Sequence, residues 1–414
     1  MIPRFLKEQK AKFGVFTAEA KKLLLSNMLF GLFSPFYLIF SNTFIFNNSK
    51  GNIGYNLLYN LFYFMGIIAG FALNGFLIRS FHVRNQLVTG MALLFISITT
   101  LFFMPPGFLN GTLILIFGLF TGIGTGIYWS SRNYLTVTST HDGNRDFFSG
   151  LDYILINSGR IVIPVLVGVY LGTSIQHGWF SVQVAYKSIL IAAFLLVLFA
   201  SVFIIQGRFN NARTGRFFYI VYNKTWNKTR LMALYVAIYQ GASIAIPPIF
   251  IMKYVGNESS VGSLYSFGSV LAIIIIYFLS SRSGVGHRTS IIRSGAIILL
   301  TGTIFFSCFI GLNSLVAMSV LIILMSVADP LINYPFRASF MKVIDELKHS
   351  DKRDDFSYIF DIELITAIGR VLSIGFFFLV YNILSTGLAL SIYMVIISTQ
   401  LFLILPLSKK VNGK

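Results

Sequence analysis

The chain has 414 residues, 56% of them hydrophobic and only 11% charged, with a formal net charge of +18. Soluble domains carry about 25% charged residues, so this composition excludes a soluble globular enzyme and points to an all-α, multi-pass integral membrane protein. The positive charge does not signal nucleic-acid binding, because the basic residues lie between long apolar runs and not on a soluble basic face.

Residues 1–22 hold six Lys/Arg but no small-residue cleavage site, so no removable signal peptide is expected. Twelve apolar windows of about 20 residues then follow. The first six are residues 23–46, 53–78, 86–104, 112–134, 147–172 and 186–205. The second six are residues 231–251, 261–279, 292–310, 315–334, 356–381 and 388–407. With both termini cytoplasmic, the segments and helix ends placed inside carry 27 of the 32 Lys and Arg. Those placed outside carry three: Lys50, Lys187 and Lys253. This bias sets the expected orientation across the plasma membrane.

Residues 206–230 are basic, free of acids and close to the midpoint, so they read as a cytoplasmic linker. The linker separates an N-terminal six-helix bundle, residues 1–205, from a C-terminal one, residues 231–414. The halves echo each other. Loops 4–5 and 10–11 are the longest inner loops of their halves, and each leads into a helix with an acid in its first third. Each of those helices also carries a Gly-Arg pair at its centre, Gly159-Arg160 and Gly369-Arg370. A guanidinium at bilayer depth costs about 2.5–3.5 kcal/mol on insertion scales, so two at matching depth mark a candidate site. Such repeated halves are the build of one large class of secondary transporters.

The layout resembles the major facilitator superfamily over essentially the whole length. Its evidence is the six-plus-six topology, the inside termini, the basic central loop and the short loops 2–3 and 8–9. Loop 8–9, Ser281-Arg282-Ser283-Gly284-Val285-Gly286-His287-Arg288, is similar to the family's loop marker, with Ser281 in the acid's place. Loop 2–3, from Gly75 to Arg84, matches poorly, with Arg79 where the acid would stand. The family's proton-coupled drug exporters carry an arginine in helix 4 ahead of a Gly-x-Gly; here Gly118 holds that position before Gly122-Ile123-Gly124. The resemblance implies that helices 1, 4, 7 and 10 line a central cavity, flanked by 2, 5, 8 and 11. Arg160 and Arg370 are then expected to face each other near mid-membrane.

Two opposed guanidiniums form a fork suited to carboxylate, phosphate or sulfonate oxygens. The plainer alternative is that each neutralises a nearby acid and pins the fold. Glu363 and Thr366 precede Arg370 by seven and four residues and share its helical face, which makes Glu363 a candidate cavity acid. Asp361 falls on the opposite face, as a cytoplasmic gate or helix-end charge. Asn157 lies three residues before Arg160, roughly on its face, and Asp152 eight before, as a gating or structural charge. Asp329, before Pro330, is a candidate proton carrier with Glu363; its alternative is a structural pair with Arg337 or Arg132. Asn27, Asn42 and Gln240 are further polar positions in helices 1 and 7 and candidates to line the cavity.

Glycines 118, 122 and 126 of helix 4, with Gly66 and Gly70 of helix 2, read as packing stripes. Pro35, Pro164 and Pro247-Pro248 read as kinks. All five histidines fall in loops and there is one cysteine, Cys308, so no metal site or other cofactor is expected. No phosphate-cradling glycine loop argues for an ATP-driven pump. The expectation is a monomeric, non-enzymatic secondary transporter working by alternating access. Its partners would be a small organic solute with an anionic group, a coupling proton and the lipid bilayer. An exporter of amphipathic compounds, or a non-transporting receptor on the same fold, is the alternative.

Overall fold

The computed structural model of the protein describes residues 13–105, 107–140, 142–209, 223–282, 287–348 and 355–411. Twelve helices in these residues are long and apolar enough to cross a membrane. They are α1 (Ala18–Asn48), α2 (Ile53–Leu77), α3 (Val83–Phe102), α4 (Gly111–Ser139), α5 (Asp142–Gln176) and α6 (Val182–Ile205). The second set is α7 (Lys224–Tyr254), α8 (Glu258–Arg282), α9 (Arg288–Phe309), α10 (Ser314–Lys348), α11 (Asp355–Ile383) and α12 (Thr386–Val411). No strand occurs among the described residues.

Short polar residues start these helices by accepting from orphan amides of the first turn. Asn52 accepts from the Gly54 amide at 2.9 Å, Asn110 from Leu113 at 3.0 Å and Asn223 from Thr225 at 2.8 Å. Several helices outrun the apolar windows. Helix α10 continues to Lys348, well past the apolar window that ends at residue 334. Helix α7 begins at Lys224, inside the expected linker; residues 210–222 of that linker and 349–354 of loop 10–11 lie outside the described residues. Hydropathy registers hydrocarbon depth, whereas backbone hydrogen bonding carries a helix on into polar surroundings.

Helix α1 changes register at Pro35. Proline removes a backbone donor and crowds the preceding turn, and the chain answers with a π turn over Phe36–Phe40. The Ser41 hydroxyl donates to the Phe36 carbonyl at 3.2 Å. Beyond the turn, buried Asn42 does not face a cavity. Its side-chain oxygen accepts from Asn56 at 3.2 Å and Asn60 at 2.7 Å, which ties the upper part of α1 to α2.

The packing repeats between halves. The pairs α2/α4, α3/α4, α1/α5, α1/α6 and α3/α6 recur six helices later as α8/α10, α9/α10, α7/α11, α7/α12 and α9/α12. The two six-helix bundles are therefore pseudo-symmetric, and they join through α2 against α11 and α5 against α8. Glycines set the closest approaches. A methyl on Gly122 would lie 2.1 Å from the Tyr63 carbonyl oxygen, so the α2/α4 crossing admits no side chain there.

The chain ends share one side of the bundle, and the joins between halves concentrate on the far side. A Cβ at Gly262 would stand 2.0 Å from the Pro164 carbonyl, and one at Gly168 2.7 Å from that of Glu258. Leu61 approaches Gly375, and Tyr381 approaches Gly54, in the far halves of α2 and α11. On the side of the chain ends, Tyr134 and Phe356 meet edge-on with ring centroids 6.4 Å apart.

Candidate functional site

Each central arginine follows a glycine because the helix is gripped there. A Cβ on Gly159 would come within 2.4 Å of the Gly31 backbone in α1; one on Gly369 would come 2.6 Å from Ala237 Cβ in α7. The next residue is turned by about 100°, off the gripping contact and toward the neighbouring surface. For Arg370 that surface holds Gln240 of α7 and Phe64 of α2, whose ring centroid is 5.9 Å from the guanidinium carbon. Arg160 occupies the corresponding backbone position in α5; its side chain lies outside the described residues, as does any facing of the two arginines.

Arg370 is half-buried near the middle of α11, directly below the packed far side. Its Nε and Nη2 donate to the same Gln240 oxygen at 3.1 and 2.6 Å. Gln240 in turn donates to Asn333 Oδ1 at 2.8 Å, and Asn333 donates to Asp329 Oδ1 at 2.9 Å. A chain of donors thus runs from a cation on α11, through amides on α7 and α10, to a carboxylate on α10. Amides can donate and accept at once, so the two charges are linked without touching. The fully buried Tyr239 hydroxyl also lies against Asp329. Glu363, half-buried, is near enough to act on Arg370 through its charge. Nη1 of Arg370 has no hydrogen-bond partner among the described residues.

Thr366 is buried one turn before Arg370, and Asn157 is buried one turn before Arg160. Neither hydrogen-bonds Arg370. Sequence reasoning missed Asn333, which fell at the end of an apolar window where polar residues read as interfacial. Its spacing of four from Asp329 was the available signal.

The two aspartates with expected gating roles sit elsewhere, nearer the chain ends. Asp152 of α5 pairs with Arg132 of α4 and accepts from Asn27 of α1 at 2.6 Å. Tyr128 donates to Asn27 at 3.2 Å, and Arg132 stacks on Trp129. Asp361 of α11 accepts from Arg230 at 2.6 and 2.9 Å and from the Trp226 indole of α7. Each carboxylate finds its cation within its own half, so each clamps helices of one bundle together. Arg132, one of the partners considered for Asp329, is engaged by Asp152. Among the described residues no cluster of three or more His, Cys, Asp or Glu is placed to hold a metal ion.

Comparison with known proteins agrees with this architecture. An uncharacterized protein of Bacillus subtilis (strain 168), YqgE, is 25% identical over 286 residues, 67% of this chain and 64% of that relative. The chain thus matches just under two thirds of that relative's length. A Geobacillus stearothermophilus protein, described as uncharacterized and in the sodM 3' region, is 37% identical over 65 residues, covering 16% of this chain and 29% of its own. Among solved structures, a bacterial homologue of the iron transporter ferroportin in an inward-facing state superposes with a TM-score of 0.68 at 13% identity. That match covers 96% of this chain and 99% of the other. A D-xylose–proton symporter gives 0.67 at 12% identity, over 95% and 98% of the two chains. The fucose–proton symporter of E. coli gives 0.61 at 14% identity, over 96% and 98%. These likenesses establish the fold alone. The family model of the Major Facilitator Superfamily matches residues 23–350. With that match and the paired six-helix packing, this chain belongs to the Major Facilitator Superfamily.

Proposed function

We propose that the protein is a secondary active transporter of the plasma membrane that carries a small organic solute with an anionic group. The observation that carries this reading is the state of Arg370. A mid-membrane guanidinium is held in place by a neutral amide, with one nitrogen still unpartnered among the described residues. A charge kept only to pin the fold would be expected to pair directly with a carboxylate, as Arg132 and Arg230 do. Arg370 is oriented by Gln240 and feels Glu363 only through space, with no direct ion pair among the described residues, which suits it to a carboxylate, phosphate or sulfonate oxygen. The second half of the binding fork is assigned to Arg160 on its matching backbone position, with Asn157 and Thr366 as neighbours.

Transport proceeds by alternating access, with the halves rocking about this level. Packing crowded on the far side supports a resting form open toward the chain ends, which the charge bias of the loops places in the cytoplasm. Asp329 and Glu363 are the proton carriers of this reading. A solute anion that takes Arg370 competes with the Gln240 oxygen, and that change passes through Asn333 to Asp329. Substrate binding and the protonation of Asp329 are thereby coupled.

The test is a thermal-shift screen of the purified protein with organic carboxylates, phosphates and sulfonates, against neutral sugars as comparison. A ligand that prefers the folded protein raises its melting temperature, and the rise grows with the logarithm of ligand concentration above Kd. The expected result is an anion that stabilises the native protein and leaves Arg370→Gln unmoved. Stabilisation by neutral sugars alone, equal in both proteins, would replace the anion with a polyol held by Gln240 and Asn333.

A further inference from the structure

The far side of the molecule holds a buried carboxylate that the site above does not use. Glu258 begins α8 and is 5% exposed. Gly256, at φ +106°, makes the turn from α7, and Asn257 caps the new helix by accepting from the Ser260 amide at 2.8 Å. This fixes the first turn of α8 where it crosses α5 at Gly168 and Gly172. The Glu258 side chain reaches across the interface. Its Oε1 accepts from Asn47 of α1 at 2.6 Å and from the Tyr186 hydroxyl of α6 at 3.3 Å. Tyr186 is completely buried and is held from behind by Thr43 of α1 at 2.6 Å.

Both partners of the carboxylate are neutral and both belong to the other half. The lysines of this region are engaged elsewhere: Lys187 lies over the Phe103 ring, and Lys253 donates to Thr386. No cation pairs with Glu258 among the described residues. A buried charge is tolerated only while its hydrogen bonds last, and rocking the halves apart on this side must break both. Water entering the opened side can then replace them.

We infer that Glu258 is the latch of the far side, holding the two halves shut through Asn47 and Tyr186 whenever the carrier faces the chain ends. The inference rests on the alternating-access reading and adds a residue to it. The experiment uses the full chain with Cys308→Ser and a reporter, Val261→Cys, one turn below Glu258 and fully buried. A membrane-impermeant thiol reagent is applied to the face opposite the chain ends, without solute, and the labelling rate is read.

Asn47→Asp, labelled at alkaline pH so that the two acids do not share a proton, sets two carboxylates against each other and is expected to raise labelling about tenfold, the scale of one charge-assisted hydrogen bond. Adding Glu258→Gln restores a donor–acceptor pair of reversed sense, and labelling should return to within about twofold of the parent. No acceleration in Asn47→Asp, or a double variant that labels as fast as the single one, overturns the latch. Where Asn47→Asp does not reach the membrane, Asn47→Ala reads the same release without a new charge, and an unchanged rate there overturns it equally. Labelling is independent of which solute is carried. Loss of the latch effect with solute flux intact therefore removes the latch alone, and absence of flux in every variant removes the carrier reading.

Discussion

Replacing Arg370 by Gln separates a binding role from a structural one, because its two energetic consequences differ in size. On the stability side, Gln240 loses two bonds from a charged donor, and hydrogen bonds to charged groups are worth about 1.5–3 kcal/mol each. The two share one acceptor oxygen, so their joint loss stays near the value for one. Against this, the variant no longer places a guanidinium at mid-membrane, which relieves about 2.5–3.5 kcal/mol. The terms nearly cancel, and the folded protein should melt close to the parent. On the binding side nothing offsets the loss. Removing one member of a buried charge pair costs about 2–5 kcal/mol, which weakens anion binding by roughly 30- to several-thousand-fold. Arg370→Lys keeps the charge but not the planar fork and should fall between. The assay is paired melting curves and solute counterflow in proteoliposomes. A variant that melts far below the parent would mark Arg370 as a structural charge, and unchanged anion flux in Arg370→Gln would refute the reasoning outright.

Asp152→Ala strands Arg132, whose Nε already lacks a partner, in a site 6% exposed, so it should cost about 3–5 kcal/mol in denaturant melting. Asp361→Ala leaves a wetter Arg230, side chain 15% exposed, and should cost clearly less; equal losses would show that exposure does not grade the two clamps. Gly122→Ala forces α2 and α4 apart and should destabilise by about 1–3 kcal/mol, whereas Gly107→Ser, with open space around its Cβ position but φ +81°, should cost only its backbone strain. Asp329→Asn should abolish uptake driven by a pH gradient while sparing counterflow; uptake that still follows the gradient would move the proton to Glu363.

The broad architecture was readable because the bilayer writes it into composition. Twelve spans follow from apolar length, the two halves from the repeated Gly-Arg and from the acid-bearing helices α5 and α11. What sequence could not supply was the partner of each polar residue. Helical spacing already set Glu363 on the face of Arg370 and Asp361 on the opposite one, but it could not name Arg230 and Trp226 of α7 as the groups that meet Asp361. Asn333 and Glu258 were overlooked for a common reason. Each sits near the edge of an apolar window, where a polar side chain is unremarkable, and the folded helices bring it onto a network assembled from distant parts of the chain.

The π turn in α1 has a mechanical corollary. With a backbone bond skipped at Pro35 and the segment above it sewn to α2 by three asparagines, the top of α1 is less a continuation of its own helix than a rider on its neighbour. That rider carries Asn47. The upper end of α1 is therefore moored sideways to α2 and, through Thr43 and Asn48, to α6, while the lower end is moored to α5 at Gly31 and to Asp152 through Asn27.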